Sequence, residues 1–520
     1  MFDFDKIIER QSDKCRKWDH TFVCSRFGDV PESFIPLWIA DMDFTSPPAV
    51  IDGFRRIVEH GTFGYTWCFD EFYDAVIAFQ RKRHQVEVEK SWITLTYGTV
   101  STLHYTVQAF CKPGDSVMMN TPVYDPFAMA AQRQGVQVLA NPLRVEENRY
   151  QLDFNLIEEQ LKTHRPTLWF FCSPHNPSGR IWREEEIRQV SDLCQRYGTI
   201  LVVDEVHAEH ILDGKFVSCL TSGCAAQDNL IVLTSPNKAF NLGGLKTSYS
   251  MIPDDSLRQR FRQQLEKNSI TSPNLFGVWG IILAYQHGLP WLDALNGYLQ
   301  GNARYLADAL QTHFPAWKMM NPESSYLAWI DVSADERSAT QLTQHFARQA
   351  GVVIEDGSHY VQNGENYLRI NFGTQRYWLE QSINRMLKMT NKDLTPMKKV
   401  LTLSLLALCV SHGAAAANYA LNNDNIALLF DDTNSTVVVK DNKANHPLTP
   451  QELFFLTLPD ESKIHTADFK IKHVEKQDNA IVIDFTHPDF NVTVKLNLVK
   501  GKYANIGYTI AAVGQPRDVA

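Results

Sequence analysis

Near its centre the chain reads Ile200-Leu201-Val202-Val203-Asp204-Glu205, an apolar run that ends in two acids. Starting 34 positions after Ile200, it reads Thr234-Ser235-Pro236-Asn237-Lys238-Ala239-Phe240-Asn241. The first run predicts a buried strand, and a carboxylate left without a partner at the end of such a strand would be costly. The second stretch places a lysine among Ser and small residues. We therefore expect Asp204 and Lys238 to belong to one site.

Asp204 and Lys238 match the two groups that pyridoxal phosphate chemistry requires from a protein. A carboxylate keeps the pyridine nitrogen of this cofactor protonated, and a lysine forms the Schiff base with its aldehyde. The Ser-x-x-Lys pattern alone is weak, because the chain contains 50 Lys and Arg residues. The alternatives are an exposed loop lysine and an aspartate that caps a helix. The spacing and the strand-end acid favour an enzyme that performs carbanion chemistry on amino acids.

The composition sets the broad class of the protein. A chain of 520 residues predicts two or three core-forming units. The hydrophobic fraction of 44% and the charged fraction of 21% are typical of a soluble globular protein. A formal net charge of −9 provides no basic surface of the kind that nucleic-acid binding needs. No nucleic-acid partner is therefore expected.

The nine cysteines contain no C-x-x-C pair and no metal-ligand spacing. Eight of them precede residue 397, at irregular intervals. This usage predicts reduced thiols and a cytoplasmic location for residues 1–396. His207 and His210 stand at i and i+3, but no third ligand is close in the sequence, so no metal site is expected.

The first 396 residues alternate short apolar runs with amphipathic segments. The runs that predict buried strands are Trp92–Thr96, Ser116–Asn120, Val136–Leu139, Thr167–Phe171, Ile200–Asp204 and Leu230–Leu233. Glu184–Tyr197 has helical spacing and represents the segments between them. Strands separated by helices predict an α/β fold with a mostly parallel sheet that is covered on both faces. Ligands bind such sheets beyond the carboxyl ends of the strands.

The chain changes character at residue 397. Met397-Lys398-Lys399 precedes the apolar run Val400–Val410, and four alanines follow at 414–417. A basic start, a short apolar core and a small-residue end are the three parts of a secretory signal peptide. The run is too short to span a bilayer comfortably, since a spanning helix needs about 20 residues. The alternative is a buried helix that packs on the first domain.

Residues 418–520 have the pattern of a different protein. Asn491–Leu498 alternates strictly between apolar and polar residues, and Ala480–Phe485 alternates more loosely. This pattern predicts antiparallel β-structure, either a sandwich or half of one. The order of the two parts predicts a fusion or joined reading frames, with a tail destined for export and a membrane contact only through residues 397–417.

Residues 1–390 resemble the MalY/PatB group of fold-type I pyridoxal phosphate enzymes, which are cystathionine β-lyase-like carbon–sulfur lyases. The motifs that carry this resemblance are Phe2–Phe4, Lys17–Asp19, Trp38-Ile39-Ala40-Asp41-Met42-Asp43-Phe44, Pro47–Val50, His60–Thr66, Thr121–Phe127, Ser173–Gly179, Asp204–His207, Lys238 with Phe240 and Asn241, Ser325–Trp329 and Arg369–Asn371. Their joint presence in this order is highly specific, and none of them lies in the tail.

The resemblance implies an aspartate aminotransferase-like fold with a large parallel-sheet domain and a small α+β domain. Together with the patterns above, it divides the chain into an N-terminal arm with part of the small domain (1–50), a large cofactor-binding domain (51–290), a C-terminal small domain (291–395), the signal-like segment (397–417) and the β-rich module (418–520).

The phosphate of the cofactor needs groups that bind an anion, and the chain has neither a G-x-G-x-x-G nor a P-loop motif. The resemblance implies that Gly98, Thr99 and Val100 direct backbone amides at the phosphate from a strand-to-helix turn. It also implies a hydroxyl contact from Ser235. The resemblance implies two further phosphate contacts. One comes from Tyr65, which would reach over from a second subunit of a homodimer, and the other from Lys246. The alternative role for Lys246 is an ordinary surface charge.

The resemblance also assigns residues around the ring and the substrate. Asn176 would bond the phenolic oxygen of the cofactor, and Tyr124 would stack on the ring. His207 occupies a position where many related aminotransferases carry a tyrosine, so it favours a lyase. Arg369 would hold the substrate carboxylate through two parallel bonds, with Ala40 beside it in the substrate site. The alternatives are a turn for Asn176, a core aromatic for Tyr124, a core histidine for His207 and a structural ion pair for Arg369.

The implied activity is β-elimination from cysteine S-conjugates, with cystathionine as the first candidate and homocysteine, pyruvate and ammonia as products. Such a reaction belongs to amino-acid metabolism and would serve methionine biosynthesis. Two alternatives stay open. One is aminotransfer on the same cofactor, and the other is a regulatory role through a protein partner, since one member of the resembled group restrains a transcription activator of a maltose system.

Overall fold

The computed structural model describes residues 2–221 and 223–403, and the tail segments 418–422, 426–431, 436–441, 451–452, 455–457, 463–465, 470–477, 480–486, 490–498 and 504–512. The chain forms two compact units, Met1–Leu401 and Thr402–Ala520. The finer division into five segments made above stays a prediction.

Helices and strands alternate through most of the first unit. The α-helices are α1 (His20–Phe27), α2 (Pro48–His60), α3 (Asp70–His84), α4 (Thr99–Phe110), α5 (Pro126–Gln132), α6 (Phe154–His164), α7 (Glu184–Tyr197), α8 (Pro236–Ala239), α9 (Asp255–Lys267), α10 (Leu275–His287), α11 (Leu289–His313), α12 (Ala339–His345) and α13 (Arg376–Leu403). The strands are β1 (Ile35–Pro36), β2 (Ile93–Thr96), β3 (Ser116–Thr121), β4 (Gln137–Pro142), β5 (Arg144–Glu146), β6 (Arg149–Gln151), β7 (Leu168–Cys172), β8 (Ile200–Asp204), β9 (Leu230–Thr234), β10 (Ser248–Met251), β11 (Lys318–Met319), β12 (Leu327–Asp331), β13 (Val352–Val353), β14 (Glu355–Asp356) and β15 (Tyr367–Asn371).

A seven-stranded sheet forms the centre of the first unit, in the order β2-β10-β9-β8-β7-β3-β4. Its strands are parallel except for β10, which runs antiparallel to both of its neighbours. The predicted mostly parallel sheet is therefore confirmed, and each of the six predicted strands is present with ends shifted by no more than three residues.

Alternate side chains of the central strands enter two separate hydrophobic clusters. Trp169, Phe171, Val203 and Val232 belong to one cluster. Leu168, Phe170, Val202 and Ile231 belong to the other. Because neighbouring side chains of a strand point to opposite faces, the sheet is covered on both sides. This coverage explains why β7, β8 and β9 are almost wholly apolar.

The sequence patterns did not predict strand β10. Its serines are buried, and their hydroxyls bond across the sheet to β2. Ser248 Oγ lies 2.7 Å from Thr96 Oγ1, and Ser250 Oγ donates to Thr94 O over 3.4 Å. Buried hydroxyls that have partners are tolerated in a core, but they remove the continuous apolar run by which a buried strand is recognised.

A second, smaller sheet has the order β11-β12-β15-β14 and is antiparallel. The N-terminal arm joins this region, because β1 pairs in parallel with β13. The loop that follows β1 continues this attachment: Leu37 N donates to Val353 O, and Asn371 N donates to Leu37 O. The arm thereby reaches the strand that carries Arg369.

The tail contains two four-stranded sheets and a hairpin among its described segments. Its strands are β16 (Asn418–Asn422), β17 (Ile426–Asp431), β18 (Thr436–Asp441), β19 (Gln451–Glu452), β20 (Phe455–Thr457), β21 (Lys463–His465), β22 (Lys470–Gln477), β23 (Ala480–Thr486), β24 (Phe490–Leu498) and β25 (Ala504–Ala512). All their pairings are antiparallel, as the alternation in β23 and β24 predicted.

The signal-like segment 397–417 is described only at its start. Residues 397–403 continue helix α13, and residues 404–417 lie outside the described part of the chain. No helix among the described residues is long and apolar enough to cross a membrane. Export of the tail and the cytoplasmic location of residues 1–396 stay predictions.

Two helical glycines provide a test of packing near the sheet. A methyl group on Gly277, in α10, would overlap Thr247 Oγ1 and lie 2.9 Å from Thr247 Cβ. Thr247 is buried and β-branched, so it cannot rotate away. We expect Gly277→Ala to lower the free energy of unfolding by about 1–3 kcal/mol, measured by denaturant titration.

Gly297, in α11, is the matched control, because a methyl group there would meet no atom within 4 Å. Gly297→Ala should raise the free energy of unfolding by about 0.5–1 kcal/mol, the ordinary effect of this exchange inside a helix. Equal effects of the two substitutions would show that the contact between α10 and Thr247 is absent.

Candidate active site

The predicted site residues follow the carboxyl ends of adjacent parallel strands. Asp204 ends β8, and it lies opposite Cys172 of β7 on one side and Leu233 of β9 on the other. Asn176 follows β7, Tyr124 follows β3 and Lys238 follows β9. The topology therefore brings residues that are far apart in sequence to one edge of the sheet.

Lys238 lies in the short helix α8, which begins at an N-cap, Ser235. Its Nζ donates a hydrogen bond to Ala40 O over 2.6 Å. Burial lowers the pKa of Lys238 to about 8, and of the charged groups around it the Asp41 carboxylate opposes this lowering most. A lysine with such a pKa has a substantial neutral fraction at physiological pH, which is the form that can act as a nucleophile or a base.

Asp204 is buried, and its Oδ1 accepts a hydrogen bond from Val206 N over 3.1 Å. No ion pair to Asp204 is found within 4 Å in the described part of the first unit. Burial raises the pKa of this carboxyl to about 6, against a smaller opposing effect of the bond from Val206. A buried acid in this state is suited to a cationic ligand, and a protonated pyridine nitrogen is one.

The residues predicted to hold the phosphate meet beside β10. Gly98 is the N-cap of α4 with φ +94°, and its amide donates to Ser248 Oγ over 2.8 Å. The next amides, of Thr99 and Val100, begin the helix and have no acceptor within it. A methyl group on Gly98 would meet no described atom within 4 Å, so the space beside Gly98 is open.

Ser235 and Lys246 approach the same place from the other side of β10. Ser235 is buried, accepts from Asn237 N and donates to Thr247 O over 2.6 Å. Lys246 is exposed and has the left-handed φ of +52°. Because Ser248 lies opposite Thr96 in the sheet, these groups and the N-terminus of α4 share one edge. The Gly98 amide and the Ser235 hydroxyl are already bonded to Ser248 Oγ and Thr247 O, so the amides of Thr99 and Val100 and the Lys246 ammonium are the groups left to bind a dianion here.

Arg369 occupies the centre of β15 and is buried. Its Nη1 donates to Tyr360 OH over 2.5 Å, and its Nη2 donates to Trp38 O. Glu355, directly across the ladder, lies 3.9 Å from Nη2. The third guanidinium nitrogen, Nε, is buried and has no hydrogen-bond partner among the described residues. A guanidinium that is fixed in place and keeps an unused donor is suited to a carboxylate ligand.

Tyr360 links Arg369 to the predicted ring contacts. Its hydroxyl lies 3.5 Å from Asn176 Oδ1 and accepts from Arg369. Tyr124 is 39% exposed. His207 is buried, and its Nδ1 lies 3.1 Å from Ser325 Oγ. Burial and the charge of Lys238 hold the pKa of His207 well below its ordinary value, so this imidazole is neutral.

For the predicted residue Tyr65, no hydrogen bond or ring contact to these groups is found among the described residues. Its side chain is fully exposed, within a segment that also exposes Phe63 and Trp67. Three exposed aromatic residues in one segment are unusual for a monomer. This arrangement agrees with a contact to a second copy of the chain, which stays a prediction.

Several residues that position the site were not predicted from the sequence. Tyr326 OH donates to Ala40 O over 3.0 Å, beside the bond from Lys238. Asn241 and Asn371 bond the backbone of the segment Trp38–Phe44. Each lies in a motif noted above, but the role of its side chain depends on contacts between distant segments. Tyr360 has no local sequence signal at all.

The side chains and the helix N-terminus at this edge of the sheet together define a class of site. A near-neutral lysine, a buried carboxylate without a cation, an open helix N-terminus and an arginine with an unused donor fit the parts of pyridoxal phosphate and an amino acid. No group of three or more His, Cys, Asp or Glu side chains in the described residues could hold a metal ion. The fold and the site therefore define a fold-type I pyridoxal phosphate enzyme.

Comparison with known proteins identifies the family. Residues 33–385 match the aminotransferase class I and II family. The chain is 36% identical over 384 residues to cystathionine β-lyase PatB of Bacillus subtilis, covering 74% of this chain and 98% of that protein. It is 31% identical over 385 residues to protein MalY of Escherichia coli, covering 74% and 97%. A pyridoxal phosphate-bound C–S lyase from Staphylococcus hominis superimposes with a TM-score of 0.70 at 29% identity, covering 75% of this chain and 98% of that one.

The chain therefore belongs to the aminotransferase class I and II family and, within it, to the pyridoxal phosphate-dependent carbon–sulfur lyases related to MalY and PatB. The family match ends at residue 385, before the tail begins. The resemblance seen in the sequence motifs is confirmed.

The state of Asp204 predicts how the stability of the cofactor-free protein depends on pH. Because its pKa of about 6 exceeds the unfolded value of about 3.9, the folded state binds the proton more tightly. The free energy of unfolding should then fall by about 3 kcal/mol as the pH rises from 4 to above 6. Asp204→Asn removes this titration, so the cofactor-free variant should be the more stable protein at pH 8 and should lose that advantage at pH 4.

Denaturant titration at both pH values, and absorbance of the bound cofactor, check this prediction. The same variant should retain less pyridoxal phosphate than the wild type. Asp228→Asn, at an exposed acid that bonds Gln195, is the control and should change stability by less than about 0.5 kcal/mol. A wild type that is more stable than Asp204→Asn at pH 8 without cofactor would contradict the account.

Proposed function

We propose that this enzyme catalyses β-elimination from cysteine S-conjugates, and that L-cystathionine is its first candidate substrate. Cystathionine and water would give homocysteine, pyruvate and ammonia. One observation carries the proposal: the buried amine of Lys238 and the buried guanidinium of Arg369 bond the same short loop, at Ala40 O and Trp38 O, in a chain that is 36% identical to a protein named cystathionine β-lyase.

Lys238 is the base in this proposal. Bound pyridoxal phosphate supplies an electron sink that stabilises negative charge at the substrate Cα. Lys238 would attach the cofactor in the resting enzyme, and its Nζ would take the Cα proton of the bound substrate. Asp204 holds the positive charge of the pyridine nitrogen, and this pairing offsets the desolvation of its carboxylate.

Arg369 binds the α-carboxylate of the substrate. Its two bonds to Tyr360 and Trp38 fix the plane of the guanidinium, so a bound carboxylate adopts one orientation. A fixed carboxylate in turn fixes the direction of the Cα–H bond relative to Lys238. The Ala40 carbonyl, which accepts from Lys238, lies in the same substrate site.

The remaining predicted residues hold the cofactor. Asn176 and Tyr124 would contact its ring, and the neutral His207 would line the site without adding charge. The phosphate would be held by the residues at the N-terminus of α4 and across β10, namely Gly98, Thr99, Val100, Ser235 and Lys246. Tyr65 of a second copy would complete this phosphate site in a homodimer.

Elimination and aminotransfer differ in what they consume and release. Elimination breaks the Cβ–S bond, releases a thiol and needs no keto acid. Aminotransfer leaves the C–S bond intact and requires a keto acid to complete the cycle.

The test is to incubate the full-length protein with cystathionine, without keto acid, and to follow thiol and pyruvate together. Equal amounts of both support elimination.

The other outcomes of this experiment separate the alternatives. A requirement for keto acid, with no thiol released, would replace elimination by aminotransfer. A cofactor-loaded protein that releases thiol from other cysteine S-conjugates but not from cystathionine would correct the substrate alone. A regulatory role would show as capture of a transcription activator that persists in Lys238→Ala, whereas thiol release should be lost in that variant.

Arg369→Lys tests the assignment of the carboxylate site. Lysine keeps the positive charge but lacks the forked donors, so about 3 kcal/mol of charged hydrogen bonding is lost. We expect kcat/KM for the substrate to fall by about a hundredfold, mostly through KM. Steady-state kinetics of thiol release measure this effect.

Arg258→Lys is the matched control. Arg258 is also buried and bonds the backbone carbonyls of Ile252 and Pro253 at the start of α9. This variant should lose stability but keep its KM. If both variants changed KM alike, the effect at Arg369 would be structural and its role in binding the carboxylate would be wrong.

A further inference from the structure

The central sheet opens between β3 and β7. The chain runs outward from this point in both directions, because β3 leads to β4 on one side and β7 leads to β8 and β9 on the other. The described pairs between β3 and β7 end at Met119 and Phe170. Beyond them, β3 continues to Thr121 beside β4, and β7 continues to Cys172 beside β8. A crevice at such a switch point is where ligands bind in sheets of this kind.

The two residues that are proposed to contact the cofactor ring lie on opposite sides of this crevice. Tyr124 belongs to the loop 122–125, between β3 and α5, and Asn176 belongs to the loop 173–183, between β7 and α7. Because the ladder ends before both loops, other contacts must fix the distance between them. A ring that is held from both sides requires one particular distance, which supporting residues maintain.

His175 bridges the two loops. Its Nε2 lies 2.9 Å from Pro122 O, and its Nδ1 lies 2.8 Å from Ser178 Oγ. Because a backbone carbonyl can only accept, Nε2 carries the proton and donates to Pro122, and Nδ1 accepts from the Ser178 hydroxyl. Within the described part of the chain, the bond to Pro122 is the only hydrogen bond that directly joins the loop 122–125 to the loop 173–183.

The imidazole of His175 is enclosed and neutral. It is 2% exposed and lies edge-on to Tyr150 and Trp182, with ring centroids 5.8 and 5.9 Å away. Burial lowers the pKa of His175 to about 3, so the ring keeps one donor and one acceptor at physiological pH. Since both nitrogens have protein partners, His175 is a support of the site and not one of its catalytic groups.

A second link between the two loops is longer and indirect. Val361 N donates to Val123 O over 2.9 Å, and the hydroxyl of the adjacent Tyr360 lies 3.5 Å from Asn176 Oδ1. The second of these contacts is at the limit of hydrogen-bond distance. The bridge by His175 is direct and short, so it fixes the separation of the loops more closely.

We propose that His175 is a positioning residue for the cofactor ring: its bridge to Pro122 sets the separation of Tyr124 and Asn176 across the crevice. The inference rests on the proposed contacts of these two residues with the ring. Pro122 lies two positions before Tyr124, and His175 immediately precedes Asn176. Without the bridge the loops can move apart, and the ring then loses stacking on one side or a hydrogen bond on the other.

Two substitutions of His175 separate its two bonds. Glutamine can place an amide nitrogen near the position of Nε2 and keep the bond to Pro122 O, but it gives Ser178 no acceptor. Asparagine can place an amide oxygen near the position of Nδ1 and keep the bond from Ser178, but it is too short to reach Pro122. Each variant loses one buried hydrogen bond, so the two should lose similar thermal stability in the cofactor-free form.

The affinity of the cofactor-free, full-length protein for pyridoxal phosphate, measured by fluorescence titration, tests the bridge. We expect Kd to rise about tenfold in His175→Asn and to stay within about threefold of wild type in His175→Gln. The pH midpoint of the absorbance change of the bound cofactor should rise by about half a unit in His175→Asn, because a weaker bond from Asn176 stabilises the ionised phenolic oxygen less.

Ser178→Ala is the matched control. It removes the other bond of His175 and leaves the bridge to Pro122, so its Kd for pyridoxal phosphate should equal that of wild type. A further measurement uses the wild type itself. Nitrogen-15 spectra of the histidine-labelled protein, with His175→Gln for assignment, should show the proton of this imidazole on Nε2.

Equal rises of Kd in His175→Asn and His175→Gln would overturn the inference, because affinity would then follow stability and not the bridge. A tenfold rise in Ser178→Ala would also overturn it, as would a proton on Nδ1 in place of Nε2. These last two measurements still decide if His175→Asn does not fold. Affinities that follow the bridge, in a protein that releases no thiol from any S-conjugate, would support the role of His175 and refute the elimination instead.

Discussion

A carboxylate without a cation, buried at the end of strand β8, is the constraint around which the first unit is organised. Burying Asp204 is unfavourable, and the wholly apolar strands on both sides offer it no charge to pair with. This unfavourable free energy is tolerated because the parallel topology brings the other groups of the site to the same edge of the sheet as Asp204. Lys238 is close enough to affect its pKa but not to neutralise it. The folded protein thus presents a buried carboxylate to a cationic ring, and the free energy of folding offsets the cost of burying that carboxylate.

A second constraint acts through the segment Trp38–Phe44, which lies between the N-terminal arm and the site. On one side Asp43 is bound by Arg10, Lys17 and Trp18; on the other, the backbone of the segment accepts bonds from the side chains of the site. Lys238, the proposed base, and Arg369, the proposed carboxylate site, are therefore coupled to one another through a loop. Substitutions in the N-terminal arm should change the geometry of the site through this loop, although the substituted residues do not contact the site.

Much of this architecture could be predicted from the sequence, because strong local patterns carry it. The apolar strands, the strand-end acid and the motif lysine are each visible in short windows, and the resemblance motifs add Arg369. Strand β10 was missed, since its buried serines are satisfied only by a neighbour 150 residues away in sequence. The contacts of Tyr360 and Asp43 were missed for the same reason. These roles depend on which distant groups meet, and no local pattern encodes that. The signal-like segment lies mostly outside the described residues and stays a prediction.

The central claim is that Lys238 is the lysine that attaches pyridoxal phosphate. Reduction of the purified, yellow full-length protein with sodium borohydride, followed by proteolysis and mass spectrometry, tests it directly. The account predicts a phosphopyridoxyl group on the peptide that contains Lys238, and on no other lysine peptide in stoichiometric amount. A stoichiometric label on Lys246 or elsewhere, or a yellow protein that gives no reduced adduct at Lys238, would contradict the account.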